Sequence, residues 1–313
     1  MKILYIVNAR IPTEKAHGIH AMKMCEALAG LANIELVIPR RFNKIKGDPF
    51  DYYRVERNFK IKKLPCLDLI IFDRLIGHLG LWVESATFFV SLFFYALFKK
   101  ADVVYGRDKY SLPLVFFKKN FISEIHTFPK NYGPYKQFFK RAKMIVVITQ
   151  GLKNLFIGKG IPADRVLVAP DGVDLNEFKI QKSKVKIREE LGLPQDKKIV
   201  LYAGHLYEWK GVQVLADASQ FLPNNIEVYF VGGTEKDIEE FKQKTQGLNN
   251  VIIVGHRPHS EVPLWLKAAD VLILPNSGKE AISRHWTSPL KMFEYMAAGK
   301  PIVASDLPSI REI

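Results

Sequence analysis

Short β-branched apolar runs alternate with longer amphipathic segments along this chain, the pattern of βα units around a parallel sheet. In the first half, KILYIVN (2–8), IELVIP (34–39), ADVVYG (101–106), FISEIH (121–126), MIVVIT (144–149) and RVLVAP (165–170) predict strands. A helix is predicted over 20–31, where Met24, Leu28 and Leu31 share a face and Gly30 helps to end it. A polar stretch, 176–197, reads as a linker plus one charged helix. A second series follows: KIVLYAG (198–204), IEVYFVGG (226–233), NVIIVG (250–255), DVLILP (270–275) and PIVAS (301–305). Helices are predicted between these strands, near 209–222, 235–246, 259–268 and 289–298. The fold class is therefore α/β. It consists of two doubly wound, Rossmann-like parallel-sheet domains in tandem, 1–175 and 198–313, facing a cleft. Ligands of such sheets bind at the carboxyl ends of the strands, which makes that cleft the expected site.

One segment departs from the pattern. WVESATFFVSLFFYALF (82–98) is almost wholly apolar, interrupted by Glu84 and a few small hydroxyl residues, and closed by Lys99 and Lys100. As a helix it would reach about 25 Å, short of the roughly 30 Å hydrocarbon core of a bilayer. The strands at 2–8 and 101–106 on either side of it belong to one sheet. A buried or membrane-skimming helix is therefore expected rather than a span. The opening MKILYIVNARIP has too short an apolar core for a signal peptide and reads as the first buried strand.

Charge changes the picture more than composition does. The 313 residues carry a formal charge of +14, with 48% apolar and 25% charged residues, as in an ordinary globular protein. Residues 1–150 hold 25 Lys+Arg against 12 Asp+Glu, whereas 181–313 hold 17 against 16. The basic excess thus sits in the first half, where it suits an anionic lipid or phosphorylated partner, or simply solubility. Nucleic acid is set aside because the basic residues lack an RNP-like aromatic pattern, a zinc finger or a helix-turn-helix. Cys25 and Cys66 form no CxxC or ligand pattern, which argues against a disulfide scaffold or zinc site and for a reducing compartment.

Two stretches carry candidate chemistry. In KIVLYAGHLYEWKG (198–211) a buried strand ends at Gly204, and Lys210-Gly211 opens the next helix, which presents backbone N–H groups and one ammonium to an anion. Strand–loop–helix with a lysine is common, so the stretch alone is not diagnostic. In WTSPLKMFEYMAAG (286–299), Thr287 or Ser288 is expected to cap a helix with Pro289 in its first turn. Lys291 and Glu294, three apart, share a face. They suit a pyrophosphate and a pair of vicinal hydroxyls, or equally a plain surface ion pair.

Taken with AHGIHAMKMCEAL (16–28), EIHTFPK (124–130), VITQGLKNLF (147–156), VAPDGVD (168–174), VGG (231–233) and the closing PIVASDLPSIREI, these stretches resemble glycosyltransferase family 4. That family comprises retaining sugar-nucleotide transferases of the GT-B fold. The resemblance implies catalytic roles for His126 (near the donor sugar), Lys210 (on the diphosphate) and Glu294 (on the nucleotide ribose). It implies donor contacts from Gly18, His205, the loop of Arg257, and Thr287, Ser288, Pro289, Leu290 and Lys291. Without the resemblance, His126 would read as a satisfied core histidine.

There are departures from the family pattern. His205 stands where the family has arginine, and Trp286 stands where it has a first, sugar-bonding glutamate, as in a subgroup with SPLK and FEYMA. A further βα region and a last crossing helix are also expected from the family, so the chain reads as lacking the C-terminal end.

The expected activity is metal-independent transfer from a nucleoside-diphosphate sugar to a glycan or lipid-linked acceptor in cell-envelope synthesis, with no further cofactor. The basic domain and residues 82–98 would lie against an anionic membrane from the cytoplasmic side. A sugar-nucleotide epimerase on the same fold, and an inactive truncated nucleotide-sugar-binding protein, are the alternatives.

Overall fold

The computed structural model describes residues 1–72, 75 and 77–313. They divide into two compact units, Met1–Val147 with Lys153–Val168, and Ile148–Leu152 with Ala169–Ile313.

The first unit is built on a seven-stranded sheet: β1 (Lys2–Ile6), β2 (Asn33–Pro39), β3 (Lys60–Leu64), β4 (Val103–Gly106), β5 (Phe121–Ile125), β6 (Met144–Val147) and β7 (Val166–Val168). All pairs are parallel, in the order β3-β2-β1-β4-β5-β6-β7, so the order reverses between β1 and β4. Six of these strands follow the apolar runs. The seventh, β3, has the sequence KIKKL and only Leu64 fully buried. It is an edge strand, and its lysines are the sort of charge that keeps an open edge from pairing with another chain. Helix α1 (Ala16–Ala29) begins four residues before the expected start and packs Ala21, Met22 and Cys25 against Tyr5, Leu36 and Ile38.

Helix α2 (Leu79–Phe98) contains the apolar segment. It is long and apolar enough to cross a bilayer by length and composition. Every fourth residue from Gly80 through Glu84, Phe88, Leu92 and Ala96 is buried, a single stripe along one face. Two polar anchors fix that stripe. Glu84 is fully buried and pairs with Arg41, Nη2 to Oε2 at 2.7 Å and Nε to Oε1 at 2.9 Å. Tyr95 and Lys99 both bond Glu35 on β2, the latter at 2.7 Å. The opposite face leaves Trp82, Val90, Phe94, Leu97 and Phe98 exposed.

The second unit has five parallel strands, β8 (Lys198–Ala203), β9 (Ile226–Val231), β10 (Val251–Gly255), β11 (Val271–Leu274) and β12 (Ile302–Ala304), in the order β10-β9-β8-β11-β12. Its order reverses between β8 and β11. Ile199, Leu201 and Ala203 face one core and Tyr202 the other, which is why β8 reads as an unbroken apolar run. The stretch expected as a linker contributes α3 (Lys184–Glu190) to this unit. Buried Arg188 on α3 donates to the carbonyls of Ala268, Pro194 and Lys197, and meets Asp270 at 2.7 Å. Asp270 also accepts the Ile199 N–H and pairs with Lys184. Burial opposes ionisation of Asp270, but Lys184, the Ile199 N–H and Arg188 overcome it and hold its carboxyl well below the usual range. The longer of the remaining helices of the unit are α4 (Val212–Ser219), α5 (Glu235–Lys244), α6 (Val262–Ala268) and α7 (Leu290–Ala298).

Candidate functional site

In the second unit the loops leaving β8, β9 and β11 converge at the point where the strand order reverses. The Lys210-Gly211 pair expected to open a helix instead closes a 3₁₀ turn, Glu208–Lys210, and α4 begins after it. Gly211 has φ +72°, and a Cβ there would lie 1.7 Å from the Pro275 carbonyl oxygen. Gly232 has φ +119°, and its Cβ would lie 2.5 Å from the Gly204 carbonyl oxygen. Only glycine permits these backbone approaches. A Cβ on Gly204 would come within 2.8 Å of Lys291 Nζ, so the ammonium of α7 sits directly against the end of β8.

Lys291 is buried and donates to the Tyr202 hydroxyl at 2.8 Å, with its ammonium 4.1 Å from the centre of that ring. The hydroxyl in turn donates to the His205 carbonyl at 2.7 Å, so Tyr202 orients the lysine and the loop together. Lys210 rests on the face of Trp209, 3.7 Å from the ring centre. Burial pushes Lys210 down to about 8, and burial and then the Lys210 charge push Lys291 well below the usual lysine range. Among the described residues, neither ammonium has a carboxylate within 4.0 Å. The Glu294 charge favours the Lys291 ammonium in part, and two neighbouring desolvated lysines suit an anion.

The remaining predicted residues fall around this centre. Neither expected capping residue caps α7. The Thr287 hydroxyl donates to the Ile282 carbonyl at 2.6 Å, and Ser288 Oγ accepts the Asp171 N–H at 2.9 Å. A second short helix, Ala281–His285, lies just before them and claims Thr287 for its own end. Pro289 takes the cap position and supplies no side-chain hydrogen bond to the N–H groups beginning at Leu290. Glu294 is held by His259, Nε2 to Oε1 at 3.1 Å, and the other ring nitrogen of His259 lies 3.7 Å from Glu177. His205 stacks on Tyr207 with its Nδ1 4.0 Å from Asp237, and burial lowers its pKa. Arg257 is exposed, 5.8 Å from the centre of the Trp265 ring.

The first unit gathers a separate polar cluster at the carboxyl ends of β1, β4 and β5. Gly18 lies in the first turn of α1, not in a loop, where a Cβ would meet the Tyr53 hydroxyl at 2.2 Å. The glycine therefore serves close packing of α1. His126 is half-buried, with Nε2 2.5 Å from Glu124 Oε1. Glu124 also accepts from Tyr5 at 3.2 Å and Arg107 at 3.1 Å, and His20 lies 3.9 Å away. Burial would raise the Glu124 pKa, but His126, Arg107 and His20 bring it to about 2. An ionised carboxylate only accepts, so Nε2 of His126 carries the proton that faces it. His20, Glu124 and His126 have the spacing of a cation site, within 4.8 Å of one another. The Arg107 guanidinium on the same carboxylate argues against a metal there.

Reasoning from the sequence missed Glu124, Tyr202 and His259. Glu124 alone left a signal, a lone acid inside the apolar run FISEI.

The two parallel sheets with their strand orders are those of a GT-B-type fold. Residues 197–313 match the family model Glycosyl transferases group 1. The chain is 28% identical over 165 residues to a D-inositol 3-phosphate glycosyltransferase of Xylanimonas cellulosilytica, covering 49% of this chain and 38% of that one. It is 25% identical over 197 residues to the amylovoran biosynthesis glycosyltransferase AmsK of Erwinia amylovora, covering 61% and 46%. The aligned regions thus span less than half the length of these relatives. The fold matches that of Anabaena HepE, solved in complex with UDP and glucose, with a TM-score of 0.72 at 19% identity over 100% of this chain and 82% of that one.

Proposed function

We propose that the protein is a retaining glycosyltransferase of family 4, in the subgroup marked by SPLK and FEYMA. It would move a sugar from a nucleoside-diphosphate donor to a glycan or lipid-linked acceptor in envelope polysaccharide or glycolipid synthesis. The observation that carries this reading is the pair of buried lysines, Lys210 and Lys291, with no carboxylate within 4.0 Å among the described residues, beside the start of α7, where Pro289 supplies no side-chain cap. Negative charge grows on a diphosphate as it leaves, and preorganised cations and N–H groups in a dry site stabilise that charge most where it develops. The lysines and the helix end supply this stabilisation without a metal. Glu294, oriented by His259, takes the ribose hydroxyls. The family resemblance gives His126 of the first unit, its Nε2 proton held by Glu124, a role toward the donor sugar. Retention rests on the family resemblance.

The test is a thermal-shift panel of UDP-, GDP- and ADP-sugars. At least one stabilises the wild type, and the response disappears in Lys210→Ala. If no nucleotide sugar stabilises the wild type, or if the alanine variant responds equally, the donor site is misplaced.

The acceptor side of the proposal is a membrane face reached from the cytoplasm. The exposed Phe94, Leu97 and Phe98 of α2 adjoin exposed Phe117, which follows on from Phe116. Phe117 meets Phe93 edge to face with ring centres 4.9 Å apart, and Lys118 donates to the Lys99 carbonyl at 3.3 Å. Lys100 and Lys119, both exposed, and half-buried Lys118 follow the exposed phenylalanines in the chain, whereas Lys99 is held by Glu35. Each such cation contributes about 1 kcal/mol near an anionic leaflet. The full chain should sediment with phosphatidylglycerol vesicles at low salt, release steeply as salt rises, and bind weakly throughout as Phe98→Asp. Absence of binding at low salt removes this part of the proposal.

A further inference from the structure

Asn276 follows β11 by two residues and is 2% exposed, yet neither its Nδ2 nor its Oδ1 has a hydrogen-bond partner. Among the described residues it is the one side chain that leaves two polar atoms buried and unpaired. Buried amides are almost always satisfied, and one that is not needs a reason. Its chain neighbours say where it stands. The carbonyl of Pro275 occupies the space beside Gly211, and the Ser277 N–H donates to the Trp209 carbonyl at 2.9 Å. Asn276 is therefore backed onto the turn Trp209–Gly211 that carries Lys210.

The chemistry of the two unpaired atoms narrows what would satisfy them. A diphosphate offers only acceptors and would leave Oδ1 unpaired. A group with both a donor and an acceptor, such as adjacent hydroxyls, satisfies the whole amide. The place of Asn276 behind the turn that carries Lys210 puts those hydroxyls on the donor, next to the diphosphate seat.

We propose that Asn276 is a specificity-determining residue that binds hydroxyls of the transferred sugar through both atoms of its amide. This rests on the donor reading above and goes beyond it by assigning the sugar subsite.

The experiment compares wild type, Asn276→Leu and Asn276→Ala by calorimetric titration with UDP and UDP-glucose, and with GDP and GDP-mannose, together with melting temperatures of the unliganded proteins. For whichever pair binds the wild type, the bare diphosphate should keep its affinity within about twofold. The sugar nucleotide should weaken about tenfold or more, because hydroxyls are left unpaired. Unliganded Asn276→Leu should melt no lower than wild type, since an apolar side chain of similar shape removes an unsatisfied amide. A structural asparagine would instead lower the melting point in both variants. Unchanged sugar-nucleotide affinity overturns the proposal, as does an equal loss with the bare diphosphate, which would place Asn276 on the nucleoside. If the wild type binds neither pair, nor ADP and ADP-glucose titrated in the same way, the donor reading falls and this proposal falls with it.

Discussion

Lys291→Met lowers kcat/KM for glycosyl transfer by roughly 10²–10³-fold, the loss seen when one preorganised charge-stabilising group is removed. The lysine is already desolvated, held by Tyr202 and pressed against Gly204, so nothing must reorganise when negative charge develops beside it. The variant should fold at least as well as wild type, because a cation buried without a counter-ion is itself a cost. A melting temperature at or above wild type combined with lost turnover separates a functional role from simple misfolding. The same site predicts a pH dependence. Burial depresses both lysines in the free protein, Lys210 to about 8, while a bound diphosphate favours their charged forms. Donor binding therefore takes up protons, and affinity falls as pH rises through 8. Titration calorimetry in two buffers of different ionisation heat measures the uptake directly. Affinity that is flat or rising between pH 7 and 9 would contradict it.

Arg188→Met produces the largest loss of stability, about 3–5 kcal/mol, by leaving Asp270 in a site arranged for an ion pair. It also leaves three carbonyls, those of Ala268, Pro194 and Lys197, without their donor. For a unit of this size the transition should move down by about 10 °C. The Asp270 carboxyl is held below its unfolded value, so its contribution is fully present at neutral pH. That contribution is lost as pH falls below about 4 toward the folded value. Wild type should thus lose stability of the second unit in that window, and Asp270→Asn should lose little more. Calorimetric melting of both variants from pH 3 to 7 checks the sign.

Much of the architecture was legible because parallel strands buried on both faces announce themselves as apolar runs. β8 and β11 are examples. β3 was not, since an edge strand covered on one side needs few apolar residues, and its lysines read as a loop. At the site, Lys210, Lys291 and Glu294 were visible because loop, lysine and helix start occur in order along the chain. The partners that orient them were not. Tyr202 faces Lys291 across 89 positions, and His259 reaches Glu294 across 35. Nothing local marks a tyrosine inside a strand as the support of a distant ammonium. The capping expectation failed for a related reason. Thr287 and Ser288 have the right chemistry, but Ile282 and Asp171 compete for them, and only the fold reveals competitors.

The glycines at the lysine turn divide the second unit into parts that can and cannot diverge. At Gly211 and Gly232 any added carbon meets main chain, which no change of rotamer relieves. The path of the loops is thereby frozen against point substitution. On the proposed donor reading, variation that retunes such a protein falls on side chains beside the frame, at His205 and Asn276. A lineage could exchange one sugar for another through these positions while the anion seat stayed the same. Sequence drift would then be concentrated in the few residues that decide what is carried and nearly absent from those that decide how it is released.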